Sequence, residues 1–151
     1  MEQKKNIMII DDHTLFREGL KTIIEQDNQY QVAGEAANAL EGLEITVKIK
    51  PDIVLVDISL PDKNGIELTA EIKEQLPDTH IIMLSMHSKG DYIARAFQSG
   101  ARGYITKEST PSKLLQGLKA VLNGEFYIDS SLSHEVVKKL IGSTGKETGF
   151  S

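Results

Sequence analysis

Short apolar runs alternate with longer stretches in which apolar side chains recur every three or four positions, and the alternation repeats five times. The short runs, at about 6–10, 30–36, 53–57, 80–85 and 102–106, predict strands, and those at 6–10, 53–57 and 80–85 are rich in Ile, Val and Leu. The longer stretches predict helices. The first covers about 14–26, with Leu15, Phe16, Leu20, Ile23 and Ile24 as its apolar stripe. In the second, Asn38 followed by Glu41 reads as a capping box, and the helix ends before Pro51. The loop Pro61-Asp62-Lys63-Asn64-Gly65 precedes a third helix at about 65–75. A fourth covers about 89–99 with Gly100 at its end, and Thr110-Pro111 opens a fifth that runs to about Asn123-Gly124.

Parallel strands need crossover connections, so a (βα)₅ alternation predicts an α/β fold: one parallel sheet with helices on both faces. After Gly124 the pattern changes. Phe126-Tyr127-Ile128 is a short apolar segment, and Ser133 caps an expected helix at 134–141 with Val136, Val137, Leu140 and Ile141 on one side. Gly142-Ser143-Thr144-Gly145 ends it and the remainder reads as linker. The expected organisation is one domain at 1–124, then a short helix and linker at 125–151 leading toward a further domain.

Composition narrows the class. The chain has 151 residues, 40% of them hydrophobic, which suits one globular domain with a short appendage. Its net charge of −5 argues against a whole-surface attraction to nucleic acid or anionic membrane. Cysteine is absent, so neither a disulfide framework nor a thiolate metal site exists. The opening MEQKKN leads into only four apolar residues before Asp11, too few for a signal-peptide core or a membrane span. The expectation is a cytoplasmic protein without membrane contact.

Candidate chemistry lies where the strands end. The first run ends on Asp11-Asp12, the third on Asp57, the fourth on Ser85 and the fifth on Lys107. In an open parallel sheet these carboxyl ends share one edge, where such sheets bind ligands. Singly, each residue has an ordinary reading: Asp12 as a cap of the first helix, Lys107 as a solvated cation, Tyr104 as packing. Together they suggest phosphoryl chemistry. Closely packed carboxylates need a divalent cation, and oxygen ligands suit Mg²⁺. Asp57 can form an aspartyl phosphate. Lys107 and the cation would offset charge on the phosphoryl oxygens, and Ser85 would donate a hydrogen bond to one of them. The four histidines, at 13, 80, 87 and 134, show no metal-ligand spacing of their own.

These residues resemble those of bacterial response-regulator receiver domains, over about residues 5–124. The matching positions are Asp11-Asp12, Asp57 with Pro61 and Gly65 following, Ser85 and Lys107. Asp11-Asp12-His13, Gly34-Glu35-Ala36, Ser85-Met86-His87 and Gly100 through Glu108 are similar to the LuxR/NarL-type subfamily. The resemblance implies a doubly wound, flavodoxin- or CheY-like fold with strand order 2-1-3-4-5. It implies Asp57 as phosphoacceptor and Mg²⁺ held by Asp11, Asp12, Asp57 and the Ser59 backbone carbonyl. Ser85 and Tyr104 would form a switch pair, with Tyr104 turning inward after Ser85 moves to the phosphoryl group. A sensor histidine kinase is the implied donor, a homodimer is a reasonable assembly, and DNA would be reached only through a C-terminal domain beyond this chain.

Other classes fit less well. A phosphatase with an aspartate nucleophile would carry an acid two positions later, where this chain has Ser59. No GxxxxGK[ST] loop occurs for a nucleotide. A stand-alone receiver acting through protein contacts is the alternative to transcriptional control. The expectation is a phosphoacceptor switch that catalyses only its own phosphorylation and dephosphorylation.

Overall fold

Six strands lie side by side in the order β2-β1-β3-β4-β5-β6, all parallel, in a computed structural model that describes residues 3–86 and 90–129. In chain order the elements are β1 (Lys5–Ile10), α1 (Thr14–Glu25), β2 (Tyr30–Ala36), α2 (Ala39–Ile49), β3 (Ile53–Asp57) and α3 (Gly65–Gln75). They continue with β4 (His80–Ser85), α4 (Gly90–Gln98), β5 (Gly103–Thr106), α5 (Pro111–Leu122) and β6 (Tyr127–Ile128). The expected strand order is present, with one strand more.

Alternation along each central strand builds the two cores. Ile7, Ile9, Ile53 and Leu55 face Leu20, Ile24, Leu114, Leu118 and Val121 on the side of α1 and α5. Met8, Ile10, Val54 and Val56 face Leu68, Ile72, Ile93 and Ala96 on the side of α2, α3 and α4. A strand buried on both faces has no polar alternation to keep, which is why the runs read as continuous. At about 25 cal/mol per Å² of buried apolar surface, these side chains supply the main drive for folding.

Helix starts follow local chemistry. Asn38 accepts from Glu41 N at 2.9 Å and Asn64 from Ile66 N at 2.6 Å, opening α2 and α3. Thr110 opens α5 with Pro111 in its first turn. The α1 start differs: His13 is the N-cap and makes no side-chain cap bond. Asp12, whose ordinary reading was a helix cap, is therefore free for another task.

The sixth strand is new relative to the sequence reading. Phe126-Tyr127-Ile128 is too short to show a period, yet Tyr127 and Ile128 pair with Gly103 and Tyr104. The sheet thus continues past residue 124. Directly after β6, the buried Asp129 carboxylate bonds Ser109 Oγ and lies 3.3 Å from Lys113 Nζ. The helix expected at 134–141, and His87, lie outside the described residues.

Candidate functional site

The register of the central strands brings the singled-out residues to one edge. Ile10 pairs with Val56, Asp57 with Leu84, and Ser85 with Thr106, so Asp11, Asp57, Ser85 and Lys107 all emerge at the same end of the sheet. Asp11 and Asp57 are buried, with 0% and 2% of their surface exposed, while Asp12 sits at the rim. Lys107 Nζ stands 2.7 Å from Asp11 Oδ2 and 3.2 Å from Asp57 Oδ2. Neither carboxylate oxygen has a well-aligned hydrogen-bond donor; what each has is the charge of that ammonium. Lys107 also lies 4.7 Å over the Phe16 ring, which shields it from water.

The β3–α3 loop closes the floor. Ser59 N donates to Asp57 Oδ1 at 3.1 Å, and Ser59 bridges to Asn64 across the loop. Gly65 packs so tightly beneath that a Cβ there would stand 2.3 Å from the Asp57 carbonyl oxygen. Asp62 accepts from Ala39 N at 2.7 Å and Leu40 N at 3.0 Å, tying this loop to the start of α2. Those two bonds hold the Asp62 carboxyl below its ordinary range.

Burial is the leading influence on Asp57 and pushes its carboxyl upward. The Ser59 N–H pulls it back, the Asp11 charge raises it, and Lys107 lowers it again. Three carboxylates against one ammonium leave negative charge in excess, the condition that favours a divalent cation.

The donor set fits such an ion. One ligand atom each from Asp11, Asp12, His13 and Asp57 lies within 4.8 Å of the others. Carboxylate-rich sites suit Mg²⁺ and related hard ions. His13 enters this group unannounced by the sequence. Its Nδ1 is 3.3 Å from Asp11 Oδ1, 3.4 Å from Asp12 Oδ1 and 3.2 Å from Lys107 Nζ. A search for histidine spacing misses it because its companions are aspartates.

Ser85 is fully buried and its carbonyl accepts from Lys107 N at 2.9 Å. Tyr104 is fully buried as well, and its hydroxyl is hydrogen-bonded with the Ser85 side chain. Burial raises the Tyr104 phenol first, and the Ser85 bond partly offsets that. In this conformation the Tyr104 ring lies inward. Arg17, Asp62 and Asp129 are the polar anchors that sequence reasoning missed, since each has its partner on another element.

Comparison with known proteins gives a consistent family. Residues 7–119 match the response regulator receiver domain. The chain is 35% identical over 138 residues to the transcriptional regulatory protein DegU of Brevibacillus brevis, covering 91% of this chain and 58% of that protein. It is 32% identical over 143 residues to the oxygen regulatory protein NreC of Staphylococcus aureus, covering 94% and 66%. The chain thus spans less than two thirds of these relatives. A two-component response regulator of the LuxR family from Aurantimonas sp. SI85-9A1 superposes with a TM-score of 0.87 at 34% identity, over 92% of this chain and 99% of that one. The isolated receiver domain of RcsB from Salmonella enterica serovar Typhimurium, solved with the phosphomimetic BeF₃⁻, gives 0.82 at 26% identity, over 89% and 99%.

Proposed function

This chain belongs to the response-regulator receiver domain family of two-component signalling, of the LuxR/NarL type, and on that footing we propose that Asp57 accepts a phosphoryl group from a sensor kinase phosphohistidine. The observation that carries the reading is the buried Asp57 carboxylate held beside Asp11 and Lys107 at the sheet's carboxyl edge. An Asp57 oxygen attacks phosphorus, the P–N bond breaks, and its electron pair leaves with the donor imidazole. Asp11, Asp12, Asp57 and the Ser59 carbonyl would hold Mg²⁺, whose charge offsets that of the phosphoryl oxygens.

Lys107 then exchanges its contact with Asp57 for a phosphoryl oxygen. Ser85 supplies the second protein contact; a hydroxyl has one donor and two acceptor positions, so it can bond Tyr104 and phosphoryl at once. The inward Tyr104 is thereby the arrangement that a phosphoryl group would favour over the alternative, which is a population shift between two states. Ser59, lying where a phosphatase acid would stand, leaves the site to turn over only its own phosphoryl group.

The output we assign is transcriptional. DegU is named a transcriptional regulatory protein, and the whole protein would reach DNA through a domain that follows the 125–151 segment, with a homodimer as the active assembly. The net charge of −5 makes this chain itself a poor DNA ligand. Among the described residues no helix is long and apolar enough to cross a membrane. Incubation with acetyl phosphate and Mg²⁺, followed by intact-mass measurement, should show one added phosphoryl group that is lost in Asp57→Asn. Equal labelling of the variant would place the acceptor elsewhere.

A further inference from the structure

Glu35 lies in a motif, Gly34-Glu35-Ala36, to which the phosphoryl chemistry gives no task. On β2 it stands in register with Ile9, one residue short of the strand end. Its Oε1 accepts from Arg17 Nε at 3.2 Å, and its Oε2 lies 2.9 Å from Lys21 Nζ. These contacts hold its carboxyl below the ordinary range, Lys21 contributing most and Arg17 adding to it. Arg17 has a second use: Nη1 donates to the backbone carbonyl of Asp11. One mostly buried guanidinium on α1 therefore joins β2 to the residue that begins the acidic loop.

That junction is where the loop needs a support. The α1 N-terminus has no side-chain cap and no acidic residue in its first turn. Asp11 is held on its amide side, where Asp11 N donates to Ala36 O at 3.0 Å. On its carbonyl side stands Arg17. Because the peptide unit is planar, anchoring the Asp11 carbonyl also sets the direction in which Asp12 departs. The Asp11 and Asp12 carboxylates then start from one defined peptide plane, and a planar guanidinium presents its donors to the two acceptors in fixed directions, which the compact, rotatable ammonium of a lysine does not.

We infer that Arg17, itself held by Glu35, is a positioning residue for the divalent-cation site, locking the Asp11–Asp12 peptide so that both carboxylates converge. This rests on the reading of Asp11 and Asp12 as cation ligands given above. The sign of one substitution separates positioning from simple charge. A nearby positive charge repels a cation, so if Arg17 acted only through its field, Arg17→Gln would tighten Mg²⁺ binding. Positioning requires the opposite.

The test is calorimetric titration of the full chain with Mg²⁺. Loss of partners that orient ligands costs about tenfold or more in metal affinity, and that weakening is expected for Arg17→Gln and for Arg17→Lys. The lysine variant keeps the charge but loses the fork, and it carries the test if the glutamine variant does not fold. Glu35→Gln should weaken binding in the same direction, and the double variant Arg17→Gln/Glu35→Gln should be no weaker than Arg17→Gln alone. Lys21→Gln, which touches Glu35 but not Asp11, should leave affinity unchanged. Tighter or equal binding in both Arg17 variants overturns the inference while leaving the cation site standing. Absence of Mg²⁺ binding by the parent protein overturns the cation site and this inference with it.

Discussion

Lys107 and Asp11 are 2.7 Å apart, so the lysine ammonium stands at the group of ligand atoms where a divalent cation would be held. Lysine and cation are thus competitors for one carboxylate. A unit charge at about 4 Å is worth about 1–4 kcal/mol between the dielectric of water and that of a protein surface. Lys107→Ala should accordingly tighten Mg²⁺ binding, by about fivefold at the low end of that range. Phosphoryl transfer should be lost in the same variant. Calorimetric titration checks the first outcome and intact mass the second; weaker Mg²⁺ binding would refute the competition.

Asp57 makes the fold sensitive to pH in a definite direction. Burial raises its carboxyl above the ordinary 3.8. The folded protein then binds a proton more tightly than the unfolded chain, so stability falls as pH rises from that value through the raised one. Each pKa unit is worth about 1.4 kcal/mol. Asp57→Asn, neutral throughout, should be more stable than the parent at neutral pH without divalent cations. The gap should close below about pH 4, where the carboxyl is protonated in both states. Urea unfolding at several pH values, in the presence of a chelator, measures it.

Gly65 is a steric requirement of the acceptor loop. A Cβ there would meet the Asp57 carbonyl oxygen at 2.3 Å and Ile58 Cα at 2.8 Å, and both are backbone atoms that cannot rotate away. Gly65→Ala should cost about 1–3 kcal/mol, the range for an overpacked site. It should also slow labelling by acetyl phosphate, since the loop carrying Ser59 must shift. Unfolding curves and the rate of mass gain test the two effects separately.

Asp129 secures the edge of the sheet. Its buried carboxylate serves Ser109 and Lys113, and its N–H reaches Tyr104 O at 3.1 Å. Asp129→Ala should cost about 1–3 kcal/mol, the price of stranding a buried polar partner. Amide hydrogen exchange should accelerate at Tyr127 and Ile128 and stay unchanged in β1 and β3. Uniform acceleration across the sheet would mean that the contact stabilises the whole fold instead of its edge.

Most of the architecture is legible because its signals are local. A strand buried on both faces must be apolar throughout, so Ile7 to Ile10 and Ile53 to Val56 read as strands without reference to anything distant. Asn38 caps α2 by accepting from the backbone N–H of Glu41, three positions on, which is one half of the capping box that their spacing suggests. The β6 strand is illegible for the converse reason: two residues carry no period, and they become a strand only by pairing with Gly103 and Tyr104. Part of the site is legible in the same way, since strand ends in a parallel sheet must share an edge. Its supports are not. Arg17 finds Glu35 across eighteen positions and Asp62 finds Ala39 across twenty-three.

Hydrophobic runs set the strands and parallel pairing sets their ends, which is enough to carry Asp11, Asp57, Ser85 and Lys107 to one edge of the sheet. How closely these groups approach one another is a matter of packing. It put Lys107 closer to Asp11 than to Asp57, turned Tyr104 inward onto Ser85, and brought His13 to the aspartates. Convergence follows from periodicity, which is a property of neighbours along the chain. Distance, burial and pairing depend on packing between elements far apart in sequence, and no local pattern encodes them.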